Sequence, residues 1–145
     1  MRIIWLEDEP ETISVIKNKI EKSFCCYPII VCKSFSSFSD EIEELDDEPM
    51  HVIIIDIRMI FNRELTFTCF GQPVKITQEL DSGFEYFNNC LKGRFQKAKI
   101  IFYSSKPQHE AIKDAQTNLV DTDLIVSKEH GSQLIQIIKE IKCNV

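Results

Sequence analysis

The sequence predicts an α/β fold: a doubly wound, five-stranded parallel sheet with helices on both faces and a β-hairpin inserted at about residues 60–80. Five short apolar runs, rich in β-branched and aromatic residues, are nearly continuous rather than alternating, which is how strands covered on both faces read. Segments with helical spacing separate these runs, so strand and helix alternate five times. One interval breaks the rhythm, and it alternates with period two on either side of Gly71 and Pro73.

The first run, RIIWL at 2–6, leads to Pro10, a residue suited to a first helical turn, and to a stripe of Ile13, Ile16, Ile20 and Phe24. The second, PIIVC at 28–32, precedes a stripe of Phe35, Phe38, Ile42 and Leu45. The third, VIII at 52–55, is followed by the irregular interval, where a connection of about two to six residues is usual. There Leu65, Phe67 and Cys69 alternate with threonines, and Val74 and Ile76 flank Lys75. Asp81 and Ser82 are capping candidates for a third helix carrying Phe84, Phe87 and Leu91. KIIFY at 99–103 is the fourth run, followed by a weaker stripe of Ile112, Ala115 and Leu119. DLIV at 123–126 is the fifth, and Leu134, Ile137, Ile138 and Ile141 close the chain. Right-handed crossovers leave few topologies for such an order.

With 145 residues the chain suits one domain, 1–145, with a substantial core. An apolar share of 43% and a charged share of 28% are those of an ordinary globular protein. A net charge of −6 without a concentrated basic cluster argues against nucleic acid and anionic lipid as partners. No window approaches the roughly 18 uncharged apolar residues of a membrane span. Acidic residues by position 9 interrupt any signal-peptide core, so a cytoplasmic location is expected. The six cysteines form no CxxC pair and the three histidines are scattered, so reduced, buried thiols are expected rather than zinc or disulfides.

Chemistry concentrates where the strands end. The first run ends in Glu7-Asp8-Glu9, the third in Asp56, the fourth in Ser104-Ser105-Lys106 and the fifth in Ser127-Lys128. In an open parallel sheet these ends share one edge, where ligands bind. Crowded carboxylates repel unless a cation neutralises them, and Mg²⁺ typically takes one or two carboxylates plus phosphate oxygens and water. Lysine and serine suit the charge on a transferring phosphoryl group, and an aspartate is a competent nucleophile for an acyl phosphate. Singly each residue is more often a cap, turn former or solvated charge. Together, at four consistent strand ends, they point to Mg²⁺-assisted phosphoryl chemistry.

On these segments the sequence resembles receiver domains of bacterial two-component response regulators. IIWLEDEP is similar to the acidic-pair segment, VIIIDIRM to the phosphoacceptor strand, IIFYSS and LIVSK to the strands ending in a hydroxyl and a lysine, and DSGFEYF to the start of the third helix. The resemblance implies a flavodoxin-like sheet of order 2-1-3-4-5, and an Asp56 phosphorylated by a histidine kinase or phosphotransfer protein. It implies Mg²⁺ held by Asp8, Asp56 and the backbone carbonyl of Arg58, with Glu7 acting largely through water. Lys128 would contact a phosphate oxygen, and Ser104 would hydrogen-bond the phosphoryl group and draw its loop inward. Such a domain is not an enzyme on external substrates; it catalyses only transfer to, and hydrolysis from, its own aspartate.

The sequence also departs from that pattern. Ile125 stands where an aromatic switch residue is usual, Glu129 where proline is, Ser105 where alanine or glycine is, and Ile60 where proline is common. Arg58 and Lys106 occupy positions that tune phosphate loss in the family. Length leaves no room for an output domain, so the signal would leave by binding a downstream protein, and a homodimer stays open. A second reading keeps the fold but not the chemistry: a phosphorylation-independent partner-binding module. A third, a Mg²⁺-dependent phosphatase, lacks a second acid/base residue. The insertion either shields the site, forms a partner surface, or is a tolerated surface loop.

Overall fold

The computed structural model describes residues 1–24, 28–46, 50–60, 65–95, 98–121 and 125–143. Strands β1 (Ile3–Leu6), β2 (Ile30–Cys32), β3 (His51–Ile55), β6 (Ala98–Ser104) and β7 (Ile125–Ser127) form one parallel sheet in the order β2-β1-β3-β6-β7. Counting only these five strands, that is the expected 2-1-3-4-5. All four residues of β1 and all five of β3 are buried, so the two central strands read as unbroken apolar runs because both faces are covered.

The two faces divide the core. On one side Ile3, Trp5, Ile54, Tyr103 and Val126 meet α1 (Ser14–Phe24) and α5 (Gly131–Cys143) through Ile20, Phe24, Leu134 and Ile138. On the other, Ile4, Leu6, Ile53, Ile55 and Phe102 meet α2 (Phe35–Glu43), α3 (Ser82–Tyr86) and α4 (Gln108–Thr117). Pro10 opens a 3₁₀ turn, Pro10–Ile13, that leads into α1, and Ser34 caps α2 by accepting from the Ser37 N–H at 3.2 Å. Cys32, Cys69 and Cys90 are reduced and buried, as expected; Cys25 and Cys26 lie outside the described residues.

Three local expectations are corrected. Asp81 sits at the start of α3 but makes no side-chain capping bond, while Ser82 Oγ accepts from the Met59 N–H at 2.9 Å. The α3 stripe continues past Tyr86 only through a π-turn, Phe87–Leu91. Leu119 does not extend the α4 stripe: it is 81% exposed with φ +58°. There the Val120 N–H donates to Ala115 O and the Leu119 N–H to Gln116 O, a Schellman stop that favours glycine at its left-handed position. Leu119→Gly should therefore raise stability by about 1 kcal/mol in urea unfolding, because a left-handed leucine costs about 1–2 kcal/mol.

The insertion is an antiparallel hairpin, β4 (Leu65–Cys69) and β5 (Gln72–Ile76), turning through Phe70 and Gly71, both with positive φ. Its described residues do not hang free: β4 packs on α2 and β5 on α3. Phe67 stacks on Phe35 and Tyr86 with ring centroids 5.8 Å away in each case. Cys69 and Ile76 are buried in the same core. At the tip, the Phe70 N–H donates to Glu43 Oε1 at 2.6 Å and the Arg94 guanidinium lies 4.4 Å over the Phe70 ring. The period-two pattern thus reports an apolar face that α2 and α3 cover.

Candidate functional site

Parallel pairing places the site. The Glu7 N–H bonds Cys32 O at 2.9 Å and the Asp56 N–H bonds Leu6 O at 3.1 Å, so the ladder carries both acids just past the strand ends. Ser104 is the last residue of β6 and Lys128 follows β7. One carboxylate oxygen each from Glu7, Asp8 and Asp56 lies within 4.8 Å of the others. Lys128 Nζ is 2.8 Å from Glu7 Oε2 and 3.9 Å from Asp56 Oδ2. Of the residues singled out from sequence, Glu7, Asp8, Asp56 and Lys128 therefore lie together at one edge of the sheet.

Electrostatics there are unbalanced. Burial raises the Glu7 carboxyl above its usual range, although Lys128 and the Glu9 N–H oppose the shift. Burial, reinforced by the charge of Glu7, pushes Asp56 up to about 8, with Lys128 only partly offsetting it. One ammonium does not neutralise three clustered carboxylates. A hard divalent cation with oxygen ligands does, so the donor set fits Mg²⁺.

The surrounding loops are fastened by groups that sequence reasoning passed over. Gly83 lies so close to Asp56 that an added Cβ would stand 2.1 Å from the Asp56 carbonyl oxygen, and its N–H bonds Ile57 O at 2.8 Å. The Ile60 N–H donates to Asp8 Oδ2 at 2.9 Å. The side-chain amide of Gln108 donates to Ile125 O and accepts from the Ser127 N–H, and Ser127 Oγ donates to Lys106 O at 3.0 Å. This clamp ties α4 to the edge strand that carries Ile125. Backbone partners chosen by tertiary approach leave no periodic trace in a sequence.

Ser104 is buried, and its Oγ accepts from the Lys106 N–H at 3.1 Å, a bond that uses an oxygen lone pair and not the hydroxyl proton. Lys106 Nζ pairs with Asp114 on α4. The exposed Arg58 side chain reaches Glu79, beyond the hairpin, at 3.5 Å. Trp5 is fully buried, with its ring centroid 5.4 Å from that of Tyr103, and Lys128 Nζ lies 6.0 Å from the Tyr103 centroid. An aromatic pair therefore connects the tryptophan to the lysine of the site.

No protein-family model matches the sequence, and none of the curated proteins does. Among solved structures, a response regulator receiver protein from Dyadobacter fermentans is similar over 97% of each chain, with a TM-score of 0.64 and 16% identity. That likeness shows the fold, a five-stranded receiver-type sheet with its flanking helices. Among the described residues no helix is long and apolar enough to cross a membrane.

Proposed function

We propose that the chain is a phosphoacceptor signalling switch of a two-component phosphorelay, in which Asp56 takes a phosphoryl group from a histidine kinase or phosphotransfer protein. The observation that supports it best is the buried Asp56 set against Glu7, Asp8 and Lys128. Carboxylates crowded this closely in a buried setting call for a cation to neutralise them.

Asp8, Asp56 and the Arg58 carbonyl would hold Mg²⁺, with Glu7 acting through water. When bound, the cation neutralises the acids and the charge spreading over the phosphoryl oxygens. An Asp56 oxygen attacks phosphorus, an O–P bond forms as the donor's N–P bond breaks, and the released imidazole takes a proton from solvent. Lys128 supplies a fixed positive charge to a phosphoryl oxygen. Ser104 donates its hydroxyl proton to another, which pulls on the loop that Lys106, Ser127 and Gln108 hold against β7. The site thereby reaches the α4–β7 edge without an aromatic at position 125, and output follows by binding a downstream protein.

Incubation with acetyl phosphate and Mg²⁺ should add the mass of one phosphoryl group to the wild type and none to Asp56→Asn. Trp5 emission should change on Mg²⁺ addition and again with the donor, since the indole is coupled to Lys128 through Tyr103. No mass gain on the wild type would favour the phosphorylation-independent partner-binding module. A gain that survives Asp56→Asn would move the acceptor elsewhere.

A further inference from the structure

We infer that the backbone N–H of Ile60 is a positioning group for the metal ligand Asp8, which makes the segment that carries the hairpin part of the cation site. The inference rests on the Mg²⁺-dependent reading above. Glu7 is held through both oxygens, Oε1 by the Glu9 N–H at 3.2 Å and Oε2 by Lys128 at 2.8 Å. Asp8 is held differently: its Oδ2 accepts the Ile60 N–H at 2.9 Å, across a sequence separation of 52 residues.

Side-chain burial does not bring Ile60 there, because that side chain is 55% exposed. The approach comes from backbone fastening of the whole segment. The Gly83 N–H donates to Ile57 O at 2.8 Å and the Met59 N–H to Ser82 Oγ at 2.9 Å. Residues 57–60 are thus tied to the start of α3 on one side and to Asp8 on the other. Beyond the hairpin, the Thr77 and Gln78 N–H groups donate to the two oxygens of Glu85 at 2.9 and 3.0 Å. Both ends of the insertion are therefore anchored through carboxylates.

A carboxylate offers about four lone-pair sites, so one bond to Oδ2 leaves Oδ1 for a cation. Fixing the group in advance removes rotamer freedom that binding would otherwise have to remove, and groups that orient ligands typically contribute 10–100-fold in metal affinity. Proline at position 60 deletes the donor, whereas alanine keeps it.

Mg²⁺ titration followed by Trp5 emission should show Ile60→Pro weakened about tenfold and Ile60→Ala within about twofold of wild type. A thermal melt of each variant checks that it is folded. Independently of any metal, hydrogen exchange of the Ile60 amide in the metal-free wild type should be at least about tenfold slower than in Asp8→Ala. Equal exchange in those two proteins overturns the inference, as does equal Mg²⁺ affinity of folded Ile60→Pro and Ile60→Ala. A wild type that binds Mg²⁺ while the variants agree removes only this inference. A wild type that binds none removes the phosphoacceptor reading with it.

Discussion

Asp56→Asn should stabilise the metal-free protein by about 2–4 kcal/mol at pH 8 and flatten its stability between pH 4 and 8. The sign follows from proton counts. Asp56 titrates near its ordinary 3.8 when unfolded and at about 8 when folded, so across that window the native state binds more protons. Stability then falls as pH rises, with the loss beginning near the unfolded value and complete above the folded one. Glu7, also held above its ordinary range by burial, adds a slope of the same sign. Asparagine carries no charge to bury, so its variant lacks the Asp56 contribution to the slope. Mg²⁺ should restore wild-type stability at pH 8 and do much less at pH 5, where protons compete for the same oxygens. Urea unfolding of wild type and variant at pH 5 and 8, with and without Mg²⁺, reads four conditions for each protein. A wild type more stable at pH 8 than at pH 5 without metal would contradict the assigned environment of Asp56.

Gly83→Ala should cost about 3 kcal/mol or more and weaken Mg²⁺ binding in whatever folded protein remains. The added methyl would stand 2.1 Å from Asp56 O and 2.9 Å from both the Asp56 carbonyl carbon and Ile57 Cα. All three are backbone atoms, so no flexible side chain can give way. Either α3 lifts, losing the Gly83–Ile57 bond and the contact of Phe84 with Phe102 at 4.9 Å, or the strand end carrying Asp56 moves. Gly93→Ala is the control. Its Cβ meets nothing within 4 Å, and only its φ of +79° opposes a side chain. That strain is worth about 1–2 kcal/mol. Comparable midpoints for the two variants in urea would show that the close approach of α3 to Asp56 is not tight.

The fold's outline was legible because burial on two faces leaves runs such as VIII at 52–55, and one-sided helices leave stripes such as Leu134, Ile138 and Ile141. The hairpin was legible for the same reason, since its inward face alternates. What covers that face was not, because Phe67 meets Phe35 and Tyr86 by approach through space. Leu119 shows the opposite failure. Its apolar character fits a helical stripe, yet the α4 stop places it in solvent at a left-handed position, and hydrophobicity alone does not report φ.

The site divides along the same line. The grouping of Glu7, Asp8, Asp56 and Lys128 could be expected from sequence because a parallel sheet sends every strand end to one edge, so adjacency to an apolar run is itself a coordinate. Side-chain chemistry at those positions was then enough to suggest phosphoryl transfer. Only the tertiary structure decided how the acids are held: the Lys128 ammonium on Glu7, the Ile60 N–H on Asp8, the bare Gly83 backbone against Asp56, and Gln108 clamped to β7. Apart from the Lys128–Glu7 pair, these depend on backbone atoms, which are nearly alike at every position, so their partners are selected by distance in the folded chain and not by residue type.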